Sequence, residues 1–454
     1  MSQPSHQSQS RLITPRRDFL KAGSVITAGS VLAGVSTAAR FAHAADGSDI
    51  KLALIGCGGR GTGAASDMLS TTHPVKLWAM ADMFSDRLQG AYNSLSGEFQ
   101  EKVNVPEDRR FTGFDAYKQA IDSGVDIVIL ATPPGFRPIH FEHAVKANKH
   151  VFMEKPVATD PAGVRKVLAA AAEAKSKKLG VGVGLQRRHQ QGYIETISRL
   201  QEGAIGDIVC TRVYWNGETP WVNRREDLER QKGGKLTEME YQLRNWYYFV
   251  WICGDHIDEQ HIHNLDVSNW LKNAAPVKAN GMGGCQVRKG KDYGETFDHH
   301  CVEFEYADGT KMFSQCRHIP GCWNSVSEFA HGTAGSCNIG GHDIKSKSGN
   351  WHYDQKAAKK GTPGNPYRIE HQDLLDSITS GNPYNEGEYG AMSTMTAILG
   401  RMATYSGQEL TMDAALNSQI DLMPKEFSLT ANPPSMPGPD GMYNIPMPGK
   451  TKVV

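Results

Sequence analysis

A glycine-rich turn directly follows an apolar run near the start of the chain, and few folds accommodate this pairing. The run covers residues 52–55, and the turn reads GCGGRG from Gly56 to Gly61. Gly56 permits a tight strand-to-helix turn, Gly58 lets the backbone approach a pyrophosphate, and Gly61 lets the helix pack close to the strand. Because phosphates would lie on free N–H groups at the helix N-terminus, the pattern predicts a dinucleotide-binding unit.

An acidic residue after the next apolar run supports this interpretation. Asp82 closes the run 75–81 and follows Gly61 by about 20 residues, the spacing expected of a carboxylate that accepts hydrogen bonds from an adenosine ribose. The carboxylate would repel a 2′-phosphate, so we expect NAD rather than NADP as the cofactor. Arg87, a few residues later, weakens this preference.

The first 44 residues resemble a twin-arginine export signal. Arg16 and Arg17 precede a moderately apolar stretch at 22–39, which is too short and too rich in Gly, Ser and Thr to span a bilayer, and Ala42 and Ala44 form a cleavage site. The mature protein is therefore predicted to be periplasmic, with no membrane span. Twin-arginine export moves folded proteins. Since we expect no pool of free NAD outside the cytoplasm, the nucleotide is predicted to be held tightly and recycled in place.

Apolar runs that alternate with helical patterns predict the fold class. Residues 126–132 read as a buried parallel strand, a helical pattern with His140 follows, and residues 149–153 form another strand. This alternation indicates a doubly wound sheet, whose ligands bind beyond the carboxyl ends of the strands. Thr132, Pro133 and Glu154 then lie on the cofactor side.

Three segments follow from these patterns. We predict a Rossmann domain at 50–175, a substrate domain at 176–422 and an extended proline-rich arm at 423–454. Such an arm is either disordered or wraps a neighbouring subunit. Met442, Tyr443 and Ile445 offer apolar anchors, which favours the wrapping arm.

The order of several short motifs resembles the Gfo/Idh/MocA oxidoreductase family. GCGGRG is followed by ATPP at 131–134, NKH at 148–150, EKP at 154–156, GVGLQRR at 182–188 and YSGQEL at 405–410, so that the likeness covers about residues 50 to 420. The resemblance implies an N-terminal Rossmann domain and a C-terminal α/β domain on a large, open, mostly antiparallel sheet. One face of that sheet would line the active site, and the other would form the interface of a homo-oligomer, a dimer or a tetramer. The residues predicted to bind the cofactor are Gly56, Gly58, Gly59, Arg60, Gly61, Asp82, Arg87, Thr132, Pro133, His140, Glu154, Lys155 and Gln186.

Lys155 is the first candidate for proton transfer. Hydride transfer from a carbinol carbon needs a group that takes the hydroxyl proton, and a lysine does so where desolvation or a neighbouring cation favours its neutral form. Lys155 lies between Glu154 and Pro156 at a strand end, in the position of the family motif. A solvated surface lysine is the alternative.

The segment 251–266 is the richest in ionisable groups. If it is helical, Glu259, His263 and Asp266 lie on one face at i, i+4 and i+7. In the resembling family an aspartate, a histidine and a second aspartate occupy this pattern and point at the nicotinamide, whereas Glu259 is one methylene longer. The resemblance implies that His263 is a second acid/base or the partner of a substrate hydroxyl, that Glu259 orients it and that Asp266 fixes the helix.

Two other interpretations of this segment stay open. His256, Glu259 and His263 have a spacing that would let one helical face coordinate a divalent metal. We nevertheless expect no metal, because the fold already provides a hydride cofactor. A buried polar network is the third interpretation, and it suits His256 and His261 best.

Aromatic and basic residues are the candidates for substrate contact. Rings beside Arg and Asn donors suit sugars, which present apolar C–H patches between hydroxyls. Core packing is an equal alternative for residues 246–249. The predicted substrate contacts are Arg188, Trp221, Arg244, Trp246 and His263.

These observations together predict the function. Lys plus Arg and Asp plus Glu both number 49, so no basic field favours a nucleic acid as partner, and a small carbohydrate is the expected ligand. We predict an exported NAD-dependent oxidoreductase that acts on a sugar, cyclitol or glycoside. One alternative is a redox-neutral NAD-dependent glycosidase that oxidises, eliminates, hydrates and reduces. The other is a non-catalytic sugar-binding protein.

Overall fold

Strand and helix alternate in the first part of the chain. The structure is a computed structural model that describes residues 49–354 and 364–454, so the predicted export signal at 1–44 lies outside the described residues. The strands are β1 (Ile50–Ile55), β2 (Val75–Asp82), β3 (Arg110–Thr112), β4 (Ile127–Leu130), β5 (His150–Met153) and β6 (Val181–Val183). The helices are α1 (Gly59–Leu69), α2 (Ser85–Glu98), α3 (Ala116–Asp122), α4 (Arg137–Lys146) and α5 (Pro161–Ser176), with short 3₁₀ turns at Glu107–Arg109 and Pro134–Phe136.

These six strands form one parallel sheet. Their order is β3–β2–β1–β4–β5–β6, the order of a doubly wound dinucleotide-binding sheet. β4 and β5 are buried along their whole length, as expected of strands that are covered on both faces. The predicted fold class is confirmed. The sheet extends through β6, beyond the division predicted between residues 175 and 176.

The remainder of the chain is built on a second sheet. Its strands are β7 (Ile208–Gly217), β8 (Lys278–Gly284), β9 (His299–Glu305), β10 (Lys311–His318), β11 (Ser325–Gly332), β12 (Gly335–Asn338), β13 (Asp343–Ser346), β14 (Trp351–His352) and β15 (Leu410–Thr411). The helices are α6 (Gln191–Gln201), α7 (Arg225–Lys232), α8 (Glu238–Arg244), α9 (Val250–Cys253), α10 (His256–Glu259), α11 (Ile262–Lys272), α12 (Pro366–Thr379), α13 (Gly387–Ser406) and α14 (Met412–Leu416), with 3₁₀ turns at Gln186–His189 and Trp246–Tyr248.

The second sheet has nine strands and is mostly antiparallel. Its order is β14–β13–β12–β11–β7–β10–β9–β8–β15, and within the described residues β7 and β10 form the one parallel pair. α11 and α13 pack against the same face, where alternate strand residues such as Val302, Phe304 and Met312 are buried. α13 also contacts α5 and therefore joins the two halves of the molecule. The predicted open, mostly antiparallel sheet is confirmed.

The proline-rich segment after residue 422 lies along its own chain. The Ser435 hydroxyl donates a hydrogen bond of 2.5 Å to Glu295. The ring of Tyr443 packs against Phe249 with centroids 5.0 Å apart, and its hydroxyl donates to Glu238 at 2.5 Å. Tyr443 thus packs within its own chain, and the wrapping of a neighbouring subunit by the arm stays a prediction. Among the described residues no helix combines the length and the apolar composition that crossing a bilayer requires.

Candidate functional site

A cavity of about 760 Å³ lies at the carboxyl ends of the parallel strands and reaches α8, α10 and α11. Most of the cofactor-binding, catalytic and substrate-contact residues predicted from the sequence line it. Those that line it are Gly56, Gly58, Gly59, Arg60, Gly61, Asp82, Arg87, Thr132, Pro133, His140, Glu154, Lys155, Trp221, Arg244, Trp246, Glu259 and His263.

Three of the four glycines of the turn, Gly56, Gly58 and Gly61, differ in what surrounds them. Gly56 has a φ of 97°, and a Cβ there would lie 2.4 Å from the Thr132 nitrogen. A Cβ on Gly61 would lie 1.9 Å from the Gly56 oxygen, so both residues are glycine for reasons internal to the protein. A Cβ on Gly58 would have no heavy atom within 4 Å and would extend into open space. The protein itself does not require glycine at that position, but a ligand bound close to the turn would leave no room for a side chain there.

The helix N-terminus beside this turn is suited to phosphate. α1 begins at Gly59, and its N-cap residue Gly58 supplies no side-chain cap. The first N–H groups of the helix thus lack partners within the helix and can bind an anion. Together with the space over Gly58, this end of the cavity fits the pyrophosphate of a dinucleotide.

Asp82 is held beside the same turn by hydrogen bonds. Its two carboxylate oxygens accept hydrogen bonds from the backbone N–H groups of Cys57 at 2.7 Å and Phe84 at 2.9 Å. Burial raises the pKa of the Asp82 carboxyl, and the two N–H donors oppose that rise. Each oxygen retains a lone pair, so the carboxylate can accept further hydrogen bonds from a vicinal diol.

A buried arginine that the sequence analysis missed holds the carboxyl ends of β4 and β5 together. Arg137 donates to the backbone oxygens of Thr132 at 2.5 Å and Pro156 at 2.6 Å. Burial lowers its pKa to about 10. It fixes the distance between the Thr132–Pro133 and Lys155–Pro156 segments, both of which face the cavity. No motif distinguishes this arginine from a surface residue in the sequence.

His140 lies beside Thr132 and is a neutral side chain. Its Nδ1 is 3.2 Å from the Thr132 hydroxyl, and its ring stacks on Tyr117 with centroids 4.0 Å apart. Burial lowers the pKa of His140 to about 3. The residue therefore orients Thr132 without adding charge to the cavity.

Arg60 and Glu154 neutralise one another at the cavity wall. Arg60 Nε lies 2.8 Å from Glu154 Oε1, and the guanidinium packs over the ring of Tyr367 at 4.9 Å. Tyr367 also receives a hydrogen bond from the Gln186 amide at 3.1 Å. Gln186 is thereby drawn toward α12, and it does not line the cavity. Its predicted contact with the cofactor is corrected on this ground.

Lys155 is held by one residue through two hydrogen bonds. Its Nζ donates to the backbone oxygen of Glu259 at 2.6 Å and to Glu259 Oε1 at 3.1 Å. Both side chains are mostly buried, with 13% and 16% of their surfaces exposed. The sequence predicted that Glu259 orients His263, whereas in the structure Glu259 is paired with Lys155.

The predicted helical face that carries Glu259, His263 and Asp266 is not continuous. α10 ends at Glu259 and α11 begins at Ile262. His263 nevertheless faces the cavity, and its ring stacks on Trp215 with centroids 5.9 Å apart. Burial lowers the pKa of His263 well below its usual range, with the charge of Lys155 as the next cause. His263 is therefore a neutral imidazole beside an ammonium group.

Asp266 is turned away from the cavity. Arg188 donates to both of its oxygens, at 2.8 and 2.9 Å, and Ser393 of α13 donates at 2.7 Å. The Arg188 guanidinium also packs 3.8 Å from the ring centre of Tyr389. The prediction that Arg188 contacts substrate is corrected, because this ion pair withdraws Arg188 from the cavity.

The three residues considered for a metal do not come together. Within the described residues, the group of His, Cys, Asp and Glu side chains close enough to share an ion is Asp255, His256 and His300, all buried. Asp255 already accepts hydrogen bonds from Tyr405 at 2.5 Å and from the Phe297 N–H at 2.9 Å. His256 Nδ1 lies 2.9 Å from the same carboxylate. These contacts match the predicted buried polar network for His256.

Trp221 and Trp246 form an aromatic rim on the far side of the cavity. Their ring centroids are 5.8 Å apart, and Trp221 is half exposed. Arg244 lies beside them but is engaged, since its guanidinium packs 3.8 Å from the Phe84 ring centre and contacts Glu240 at 3.2 Å. The cavity also includes Asn223, Gln260 and Tyr367, which sequence reasoning did not assign.

Comparison with known proteins agrees with this architecture. Residues 50–183 match the GFO_IDH_MocA model, described as "Oxidoreductase family, NAD-binding Rossmann fold". The chain is 26% identical to inositol 2-dehydrogenase of Salmonella paratyphi B over 227 residues, or 49% of this chain and 55% of that protein. It is 29% identical to 2,7-anhydro-N-acetylneuraminate hydratase of Escherichia coli, over 48% of this chain and 55% of that protein. The chain thus spans about half the length of these curated relatives.

A solved structure extends the likeness in fold to most of the chain. The aldose–aldose oxidoreductase of Caulobacter crescentus superposes with a TM-score of 0.63 and 18% sequence identity. The match covers 80% of this chain and 100% of that protein. The two-sheet architecture is therefore shared along that whole enzyme.

Proposed function

We propose that the whole protein is an NAD-dependent oxidoreductase for a sugar, cyclitol or glycoside, a proposal that the match of residues 50–183 to the Gfo/Idh/MocA oxidoreductase family supports. Lys155 and His263 are its proton-handling residues. The observation that carries the proposal is that Lys155, Glu259 and His263 line the same cavity as the glycine turn and Asp82. A bound nicotinamide would accept or supply the hydride.

The two hydrogen bonds of Lys155 give its third donor position a defined direction. An ammonium group has three N–H donors, and Glu259 takes two of them. The remaining position is available to a substrate hydroxyl, and a neutral amine would present its lone pair there. Glu259 thus orients Lys155 for proton exchange with that hydroxyl.

His263 provides the second proton-handling group. It is neutral, so it can accept a hydrogen bond from a hydroxyl, and the nearby ammonium favours that neutral form. Its ring is fixed by stacking on Trp215. A substrate carbon that bears its hydroxyl between Lys155 and His263 would then have a fixed orientation for hydride transfer.

The substrate class follows from the chemistry of the far wall. Trp221 and Trp246 offer faces for C–H patches, and Asn223 offers an amide for hydroxyls. Aromatic faces beside amide and imidazole groups suit a sugar or cyclitol ring, which presents C–H patches between its hydroxyls. The inositol dehydrogenase among the relatives supports this choice.

We propose NAD over NADP on the strength of Asp82. Its carboxylate is fixed by two backbone N–H groups and cannot turn away from a 2′-phosphate. Arg87 also lines the cavity, and it is the residue that would favour NADP. Asp82→Ala should therefore relax the preference, which competitive binding of the two dinucleotides would measure.

A redox-neutral reaction is the second candidate. It would oxidise a ring carbon, remove the acidified proton of the adjacent carbon, eliminate the substituent of the carbon beyond it, add water across the resulting double bond and return the hydride. The hydratase among the relatives favours it.

We also propose export by the twin-arginine route, from the arginine pair at 16–17, and tight retention of the nucleotide, which such a cycle would use repeatedly.

We propose a homo-oligomer that forms through the outer face of the nine-stranded sheet. Met282 and Phe313 project from that face, opposite to the helices, and Trp323 lies beside it against Tyr214. All three large apolar side chains are exposed. Light scattering of the purified protein would give the oligomeric state.

One set of measurements tests the function. Protein purified from the periplasm is denatured and analysed by mass spectrometry for a dinucleotide, which we expect in stoichiometric amount. The native protein is then supplied with sugars, cyclitols and aryl glycosides while nicotinamide absorbance and released aglycone are followed. Net reduction of NAD supports the dehydrogenase, and aglycone without net absorbance change supports the redox-neutral reaction. Protein that binds neither NAD nor NADP would overturn both.

A further inference from the structure

Gln260 is a cavity residue that the proposed proton transfer does not use. It lies between Glu259, which holds Lys155, and α11, which carries His263. Its Oε1 is 2.6 Å from His318 Nε2. An amide has one acceptor end and one donor end, so the partner of Oε1 determines what Gln260 presents to a ligand.

The direction of this hydrogen bond follows from a third residue. Arg288 Nη2 contacts the other ring nitrogen of His318, Nδ1. A guanidinium can only donate, so Nδ1 must be the acceptor and the ring proton must reside on Nε2. His318 Nε2 is then the donor to Gln260 Oε1. The chain from Arg288 through His318 to Gln260 therefore has a single direction.

The surroundings of His318 keep this arrangement in place. The ring packs against His256 and Tyr247, with centroids 4.4 Å and 6.1 Å away. Its backbone is fixed as well, since its N–H donates to Asp298 at 2.8 Å and its oxygen accepts from Thr219 at 2.9 Å. Burial lowers the pKa of His318, and the neighbouring His256 and Arg288 lower it further, so the ring stays neutral.

Arg288 is itself anchored. It is buried, its Nη1 donates to the backbone oxygen of Phe297 at 3.1 Å, and its own N–H donates to Asp298 at 3.1 Å. Asp298 further accepts from the N–H groups of Gln286 and Val287. The donor at the start of the chain therefore cannot rotate away from His318.

The side-chain NH₂ group of Gln260 takes no part in these contacts. Within the described residues, the Gln260 side chain makes a single hydrogen bond, the one to His318. We propose that Gln260 is a substrate-recognition residue whose NH₂ group is preset by Arg288 and His318 to donate a hydrogen bond to a substrate oxygen beside the reacting carbon. This inference rests on the proposed function, because it names the polar feature that the substrate must carry.

The arrangement sets a rule for the substrate. The group that meets Gln260 must accept a hydrogen bond, as a hydroxyl or an ether oxygen does. A deoxy analogue leaves the amide donor unpaired, and an ammonium substituent has no lone pair to offer. A site built to hydrogen-bond an oxygen rejects such analogues more strongly than an apolar pocket would.

The first test reads the tautomer directly and requires no substrate. The full chain is labelled with ¹⁵N-histidine, and the His318 signals are identified by their absence from His318→Gln. We expect a protonated, pyrrole-type Nε2 and an unprotonated, pyridine-type Nδ1. The reverse tautomer or a doubly protonated ring would overturn the proposal.

The second test measures recognition in the NAD-loaded enzyme. Gln260→Glu keeps the acceptor for His318 but removes the donor, and Gln260→Met removes both. We expect each to raise KM about tenfold with a smaller change in kcat, the loss of roughly one hydrogen bond to a neutral group. Unchanged KM for every substrate in both variants would overturn the proposal.

A pair of variants separates positioning from stability. Arg288→Met removes the donor that sets the tautomer, whereas Arg288→Lys keeps a donor. We expect a mixture of His318 tautomers and a raised KM in the first, and recovery of the Nε2–H signal in the second. If both variants keep the wild-type tautomer, Arg288 does not position Gln260. Should no sugar or cyclitol be turned over, the proposed function fails, while the NMR result still decides the hydrogen-bond chain.

Discussion

The two walls of the cavity are made in different ways. The wall at the parallel sheet consists of backbone and small residues, such as Gly56, Gly58 and Gly61, whose positions follow from a local spacing. The side-chain wall consists of long side chains from both halves that are fixed by partners far away in sequence, as Lys155 after β5 is by Glu259 of α10. The comparison teaches that binding of a common cofactor can be encoded locally, whereas the reactive groups depend on tertiary packing.

The largest effect should come from the side-chain wall. Lys155→Ala removes the group that we propose for exchange of the hydroxyl proton, and we expect kcat to fall by about 10² to 10⁴. Dinucleotide binding should change little, because the glycine turn is untouched. Steady-state kinetics and equilibrium dialysis would measure the two quantities.

Lys155→Arg is the matched control. A guanidinium retains the positive charge beside Glu259 but does not become neutral at working pH. We expect it to be as inactive as the alanine variant. Recovery of activity in Lys155→Arg would show that charge alone is needed, and the difference drawn between the two walls would then weaken.

The next effect tests the backbone wall as structure. In Gly61→Ala the new Cβ would lie 1.9 Å from the Gly56 oxygen, so the helix must move away from the strand. We expect the free energy of unfolding to fall by about 3 kcal/mol, in the range of overpacked sites. Urea denaturation would measure it. An unchanged midpoint would contradict the close packing of α1 on β1.

Gly58→Ala probes the same wall as a binding surface. No protein atom lies within 4 Å of its new Cβ, so stability should be unchanged. The methyl group would instead occupy the space over the turn, and we expect about tenfold weaker dinucleotide binding, a loss of about 1.4 kcal/mol. Calorimetric titration with NAD, with Gly61→Ala alongside, separates the two roles. Equal NAD affinity in Gly58→Ala and wild type would remove this turn from the site.

The smallest effect concerns pH and the ion pairs behind the cavity. His189 lies between Asp373 at 2.7 Å and Glu386 at 3.1 Å. Burial opposes its charge, but the two carboxylates prevail and raise the pKa of His189 to about 10. The stabilisation is complete below the unfolded pKa of about 6.5 and declines as the pH rises toward 10.

His189→Asn should flatten this decline. We expect the variant to lose about 1 kcal/mol of stability near pH 6 and less near pH 10, because the wild type has by then lost the advantage. Thermal unfolding across that pH range would show it. Parallel wild-type and variant profiles would mean that His189 does not carry the charge assigned here.

The sequence predicted the backbone wall well and the side-chain wall incompletely. The strand order and the places of Gly56, Gly61 and Asp82 follow from local patterns that the structure reproduces. The segment with Glu259 and His263 also reaches the cavity as expected. Its partnership with Lys155 could not be deduced, because the two residues lie 104 positions apart.

The failures share one physical cause. Arg188 and Gln186 end a strand near the cavity, but Asp266 and Tyr367 draw them elsewhere. Spacing alone does not reveal such partners. The interruption at Gln260 was missed for the same reason, since residues 256–272 carry no proline or glycine to signal a break. What packs against the segment, rather than its own composition, determines its path.

The C-terminal segment has a consequence for the order in which the protein matures. Ser435 and Tyr443 brace Glu295, Glu238 and Phe249, which support the segment that carries the aromatic rim. Ser435 and Tyr443 follow Glu295 and Glu238 by 140 and 205 positions. The segment that carries the aromatic rim therefore gains these supports only after the last strand of the nine-stranded sheet has been synthesised.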